Sequence, residues 1–243
     1  MNSLMQYKKS FYRSLESQGL NSAREILPFI VNLLAPQSVV DVGCGTGEWL
    51  SVCMELGIED IQGVDFYDGS FLKIPRSSYL QKDLNQPFTI PRTFDLAVSL
   101  EVGEHLSPES AKEFVCSLTR LAPAVLFSAA IPGQGGTGHI NLQWPDYWAE
   151  LFEAFGFTAA DCIRPQFWQN PKVACYYAQN IVLYVKDREI DLPSFKLQRF
   201  VHPEMWEGQA SELSLLRPLY TARGLVKRLP GALWNSITAR VRD

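Results

Sequence analysis

Apolar and polar residues alternate along this chain in two rhythms. Short apolar runs recur at residues 38–42, 61–65, 79–82, 94–101, 124–130, 157–163 and 180–185. Between them lie stretches whose apolar positions return every three to four residues, the spacing of one helix face. The run Phe94-Asp-Leu-Ala-Val-Ser-Leu-Glu101 is apolar almost throughout, as suits a strand buried on both faces of a parallel sheet. This alternation predicts an α/β fold: a doubly wound, Rossmann-like, seven-stranded and mostly parallel sheet with helices on both faces. Ahead of the first strand, Leu4, Tyr7, Phe11 and Leu15 predict a helix over residues 1–19. Asn21 or Ser22 is placed to cap a second helix over 23–34, which Pro36 stops. The chain thus divides into an N-terminal helical cap at 1–35, a sheet domain at 36–190 and an extension at 191–243.

The extension differs in charge. Residues 212–243 carry a net +4 and the rest of the chain −8. Leu213, Leu216, Leu219 and Tyr220, then Leu225, Val226 and Leu229, form an apolar stripe that Pro218, Gly224 and Pro230 interrupt. A basic amphipathic stripe packs on its own domain or on a twin subunit in a homodimer, or it touches a membrane surface. Packing is the preferred reading.

Composition narrows the classes. The 243 residues are 47% hydrophobic and 20% charged, enough apolar material for a full core and unlike a disordered or fibrous chain. The net charge of −4 argues against a nucleic-acid partner. No apolar run approaches the roughly 18 residues of a transmembrane helix. The N-terminus lacks the apolar centre of an export signal, so a cytoplasmic location is expected. Five cysteines, at 44, 53, 116, 162 and 175, form no CxxC pair. They predict reduced thiols rather than a disulfide framework or structural zinc.

The sharpest signal is Val39-Val-Asp41-Val-Gly43-Cys-Gly45-Thr-Gly47-Glu, between a predicted strand and a predicted helix. Gly43 and Gly45 permit a tight turn and a close ligand, and the helix that follows offers free N–H groups. Asp65 ends the next strand, where a carboxylate can accept both ribose hydroxyls of a nucleoside. The spacing GxGxG is neither the dinucleotide fingerprint nor a Walker loop. Asp41 repels a pyrophosphate and suits a ligand carrying an ammonium group.

These residues resemble the class I S-adenosylmethionine (SAM)-dependent methyltransferases. DVGCGTG at 41–47 is similar to that family's first motif, Gly63-Val-Asp65 to its second-strand acidic position, and Lys82-Asp83-Leu84 to the loop beside the adenine. The stretch 94–106, ending Glu101-Val-Gly-Glu104-His105-Leu106, resembles its fourth-strand motif. The resemblance covers about residues 20–187 and makes 36–190 the SAM-binding domain. It implies the methionine group over Gly43, Gly45 and Gly47 with Asp41 favouring the amine, the ribose on Asp65, the adenine amine facing Asp83, and Leu84 and Phe66 against the ring. Glu101 is a further candidate for the cofactor wall. Methyl transfer would be direct, since the sulfonium is already activated.

Two segments bear on the acceptor. Glu104 and His105 follow the fourth strand, and Gly133-Gln-Gly-Gly-Thr-Gly-His139 follows the fifth, both at the strand ends where this fold opens to substrate. The four glycines make a loop able to close over a site. An acceptor hydroxyl must lose a proton, and a neutral imidazole is the usual helper. His139 is the first candidate for general base and His105 the second, with Glu104 orienting His105 or favouring the helix dipole. Glu101, Glu104, His105 and His139 also resemble the divalent-metal pattern of small-RNA 3′-end methyltransferases and ubiquinone-pathway O-methyltransferases; the metal-free reading is preferred. The stretch to Trp148 is similar to methyltransferases of bacterial surface-glycan and natural-product biosynthesis. Their usual GHxNEQWPxYW has Leu142 here in place of Glu. Trp144 and Trp168 are candidate pocket aromatics. The expected reaction is O-methylation of a small molecule or sugar. An RNA methyltransferase and a non-catalytic scaffold of the same fold are the rivals. The Asn/Asp-Pro-Pro-aromatic signature of N-methyltransferases does not occur after the fourth strand.

Overall fold

The structure, a computed structural model, describes residues 2–66, 68, 69, 71–186 and 197–210. The chain forms two compact units, Met1–His202 and Pro203–Asp243. Residues 203–210 of the second unit are helical, and the stripe at 212–243 lies outside the described residues.

The first unit is built on seven strands: β1 (Ser38–Val42), β2 (Asp60–Asp65), β3 (Tyr79–Gln81), β4 (Leu96–Leu100), β5 (Ala124–Ser128), β6 (Phe157–Ala160) and β7 (Val182–Lys186). They lie in the order β3-β2-β1-β4-β5-β7-β6. All pairs are parallel except β7, which runs antiparallel to both β5 and β6. The helices are α1 (Asn2–Leu34), α2 (Glu48–Glu55), α3 (Ala111–Leu121), α4 (Pro145–Glu153), α5 (Arg164–Phe167) and α6 (Cys175–Asn180).

Successive strand residues face opposite sides, and this separates two cores. Val39, Leu96, Leu126 and Leu183 join α1 and α2 residues such as Ile26, Leu27 and Leu50. Val40, Ala97, Val125, Val182 and Tyr184 join Phe114 and Leu118 of α3 and Trp148 and Phe152 of α4. Phe152 stacks on Tyr184 at 3.9 Å between centroids and meets Phe127 at 5.4 Å. Phe152→Ala is expected to cost about 3–5 kcal/mol of stability in denaturant unfolding. A loss below about 1 kcal/mol would mean that the α4 face collapses without penalty.

The expected break at Asn21–Ser22 does not occur, and α1 runs through it. Ser22 is fully buried. Its hydroxyl donates to the Gln18 carbonyl one turn back at 2.7 Å and accepts the Ala174 N–H at 3.0 Å. A hydroxyl used this way serves a helix interior instead of a cap. Strand ends also fall earlier than the apolar runs suggest. β4 stops at Leu100 because Glu101 takes a left-handed φ of 55°, and β6 stops at Ala160 before the buried Asp161–Arg164 ion pair.

Candidate active site

The C-terminal ends of β1, β2 and β4 meet at one edge of the sheet, where the Gly-rich turn leaves β1. Gly43, Gly45 and Gly47 have φ of 86°, 55° and 90°, a region that favours glycine. A Cβ on Gly43 would lie 2.2 Å from Val102 Cγ2, so no other side chain fits beneath a ligand there. The Gly43 N–H donates to the Val64 carbonyl at 2.7 Å, and the Gly45 N–H donates to Asp65 Oδ2 at 2.8 Å. Asp65 therefore anchors the turn as well as facing the site. Asp41 is buried below it. Burial first, then the charges of Asp65 and Glu48, push its carboxyl well up.

A cavity of about 850 Å³ runs along this edge. Its wall passes from Gln81, Lys82, Asp83, Leu84 and Asn85, past Asp65, Phe66 and Gly43, to Glu101, Val102, His105, Leu106 and Gly138. Of the residues singled out in the sequence, Gly43, Asp65, Phe66, Asp83, Leu84, Glu101 and His105 line it. Asp41, Gly45 and Gly47 support the turn behind. Asp83 Oδ1 accepts the Asn85 N–H at 3.0 Å, which shapes the loop around the cavity's far end. Phe66 is 74% exposed, at its mouth.

Glu104 and His105 sit on a short 3-10 turn, Gly103–His105. The Glu104 carbonyl accepts the N–H groups of Ile140 and Asn141 at 2.8 and 3.0 Å. These bonds bring the Gly-rich loop back onto the turn and set His139 beside His105, with ring centroids 4.9 Å apart. The His139 ring lies over Gly136, where a Cβ would come to 2.2 Å from both Cε1 and Nε2 of the ring. The Gly-rich sequence is thus the condition for this imidazole's position. His139 Nδ1 is 3.4 Å from the Gln134 carbonyl, and His105 Nδ1 is 3.3 Å from that of Gly138. A carbonyl accepts only, so Nδ1 of each ring is the donor, and a neutral His139 ring has its free lone pair on Nε2. Burial, then the neighbouring His105, lowers the His139 pKa, and its ring is neutral at pH 7.

Glu104 is completely buried, and its carboxyl lies against Glu101 and the Ala130 backbone with no hydrogen bond of good geometry to either oxygen. Its Oε1 is 3.9 Å from His139 Nε2. Burial, then the charge of Glu101, pushes Glu104 up to about 9. Burial also raises Glu101, against the donors that surround it. Glu104, His105 and His139 bring ligand atoms within 4.8 Å of one another. Glu101, the fourth residue of the sequence pattern, is instead held by the side-chain amides of Gln134 and Asn180. Those two amides were not legible as site residues. Gln134 sits inside the glycine run and Asn180 at the end of α6, and neither spacing marks them.

Trp144 precedes α4 with the Arg199 guanidinium 5.6 Å over its ring. Trp168 lines a separate cavity of about 790 Å³ with Asp161, Arg164 and Phe200. The five cysteines are free thiols. No helix among the described residues is long and apolar enough to cross a membrane.

Residues 15–161 match the family described as methyltransferase domain. No curated protein matches the chain by sequence. Among solved structures, DesVI of Streptomyces venezuelae is 15% identical, with a TM-score of 0.59 over 77% of this chain and 100% of that one. The sugar N-methyltransferase KedS8 of a Streptoalloteichus species is 16% identical, with a TM-score of 0.58 over 74% and 92%. The SAM-bound amino pentose methyltransferase CalS10 of Micromonospora echinaspora is 12% identical, with a TM-score of 0.57 over 74% and 97%. At these identities the likeness is one of fold.

Proposed function

The chain belongs to the methyltransferase domain family and works with SAM, and from that premise we propose that it methylates a hydroxyl group of a small molecule or sugar. One observation carries the reading: a single cavity leads from the nucleoside-type groups Asp83, Leu84 and Asp65 to His105, with His139 behind it. Gly43 lines that cavity and packs directly against Val102. Bound there, SAM would supply a methyl group from its sulfonium, with the neutral thioether as the leaving group. Asp65 accepts the ribose hydroxyls, Leu84 and Phe66 cover the adenine, and the turn at Gly43–Gly47 receives the methionine end. His139 Nε2 takes the acceptor's proton as its oxygen is methylated, with His105 at the cavity wall as the alternative base. No covalent intermediate forms on the protein. Incubation with SAM and a panel of sugar, phenol and amino-sugar acceptors tests this. An O-methyl product is expected. Methylation confined to amines or RNA would refute the hydroxyl assignment.

A second reading is favoured by the fully buried carboxyl of Glu104, to which no hydrogen bond of good geometry is made. A fully buried carboxylate without hydrogen bonds is costly unless it is protonated or faces a cation. Glu104, His105 and His139 would hold a divalent ion, each imidazole by Nε2 with Nδ1–H on a backbone carbonyl, an arrangement common behind metal-binding histidines. The ion would lower the pKa of an acceptor hydroxyl. Without it, burial and the charge of Glu101 favour the protonated form of Glu104. Ion binding at pH 7.5 must therefore release about one proton from this group. Calorimetry with Mn²⁺ in buffers of different ionisation enthalpy reads that proton. Its loss in Glu104→Gln supports the metal centre, and the absence of ion binding by the wild type removes it.

A further inference from the structure

The cavity that Trp168 shares with Phe200 opens on the same edge of the sheet as the candidate active site. β4 and β5 are parallel, and β7 runs antiparallel to both β5 and β6. β6 therefore points the same way as β4, and Ala160 and Leu100 end at one edge. The order β4-β5-β7-β6 puts those two ends three strand spacings apart, about 14 Å. Asp161 and Arg164, which follow β6 directly, are the buried part of the cavity's lining.

Its two aromatic rings form a corner. The Trp168 and Phe200 centroids are 5.9 Å apart and the ring planes meet at 70°. Phe200 is 46% exposed. The corner is held from behind by Arg164. Its Nε donates to Asp161 Oδ1 at 2.8 Å, and its Nη1 donates to the Gln198 carbonyl at 3.0 Å. The same guanidinium lies 5.5 Å from the Phe200 centroid. A buried ion pair adds little net stability, because desolvation offsets the attraction. This one fixes Gln198 and Phe200 against α5. His202 Nε2, at 2.8 Å from the Trp168 carbonyl, ties the same segment down a second time.

The lining selects a ligand by its chemistry. Among the described residues, Asp161 and Arg164 are the ionisable side chains of this cavity, and they compensate each other. No charge is left over for a phosphate or carboxylate. Gln166 and Gln169 also line the cavity and are exposed. An amide offers both a donor and an acceptor, the pairing that a hydroxyl group needs. The ring faces take up C–H surface. A planar aromatic ligand would satisfy the rings and leave the amides unmatched. A sugar ring, with C–H faces and a rim of hydroxyls, satisfies both. The volume of about 790 Å³ lies within the range of small-ligand sites.

We propose that the corner of Trp168 and Phe200 is a sugar-binding subsite, and that the acceptor is a neutral oligosaccharide chain which rests there while one of its hydroxyls reaches His139 or His105. The span between the two strand ends is longer than one sugar ring, so an acceptor that reaches both places is a chain. The acceptor half of the proposal rests on the hydroxyl reading above; the subsite itself does not.

The full chain is titrated calorimetrically with maltohexaose, cellohexaose and chitohexaose, and with the matching monosaccharides. At least one hexasaccharide is expected to bind, and its monosaccharide about tenfold more weakly or not at all. Trp168→Ala weakens the hexasaccharide about tenfold, the scale of one lost stacking face. Phe200→Ala weakens it severalfold. SAM binding, unchanged in both variants, is the check on folding. No hexasaccharide binding at millimolar concentration, or binding that Trp168→Ala leaves unchanged, overturns the subsite. O-methylation of a monosaccharide or phenol at a rate that Trp168→Ala does not alter overturns the chain acceptor and leaves the hydroxyl reading standing. Hexasaccharide binding that depends on Trp168, with methyl transfer to amines alone, overturns the hydroxyl reading and leaves the subsite standing.

Discussion

His139→Ala lowers kcat by about 10²- to 10⁴-fold, the range for loss of a general base, while SAM binds as to the wild type. The ring stands outside the cofactor end of the cavity and presents Nε2 because Nδ1 faces the Gln134 carbonyl. Its pH behaviour follows from the direction of its shift. Burial lowers the pKa, so the ring stays neutral, and able to accept a proton, to a lower pH than an ordinary histidine. The acidic limb of kcat/KM therefore falls below about 6.5. His105→Ala tests the alternative with the same assay. An unchanged kcat in His139→Ala would remove that residue from the chemistry.

Asp65→Ala weakens SAM binding by about 100-fold or more. Two hydrogen bonds from ribose hydroxyls to a carboxylate contribute about 1.5 kcal/mol each at the lower end of their range. The substitution also removes the acceptor that the Gly45 N–H uses, so the turn beneath the methionine loses one of its ties to β2. Both losses fall on cofactor affinity, and equilibrium titration reads them together. An affinity within about threefold of the wild type would mean that the ribose lies elsewhere.

The parts of the molecule that read clearly from sequence share one property: their signal is local. The seven apolar runs became seven strands because a doubly covered sheet demands apolar residues at nearly every position, as in Val39 against one core and Val40 against the other. Gly43 and Asp65 were legible because a positive φ and a strand-end carboxylate each leave a mark within a few residues. The continuous α1 was not legible. Ser22 has the chemistry of a cap, and only the Ala174 N–H, 152 residues away in sequence, shows its other use. The same holds for Gln134, Gln179 and Asn180, whose meaning depends on a network between the loop after β5, the end of α6 and the backbone of His202. Short helices α5 and α6 also escaped, since four and six residues are too few for a helical period to establish itself.

The central claim is that SAM lies along the carboxyl edge of the sheet between Leu84 and His105. A crystal structure of the protein grown with saturating S-adenosylhomocysteine (SAH) tests it most directly. The account predicts the adenine beside Leu84 and Phe66, the ribose hydroxyls on the Asp65 carboxylate, the amino-acid group over Gly43–Gly47, and the sulfur on the side of Glu101 and His105. SAH bound at any other place on the chain, or a well-ordered edge cavity holding none of it at saturation, would contradict the account.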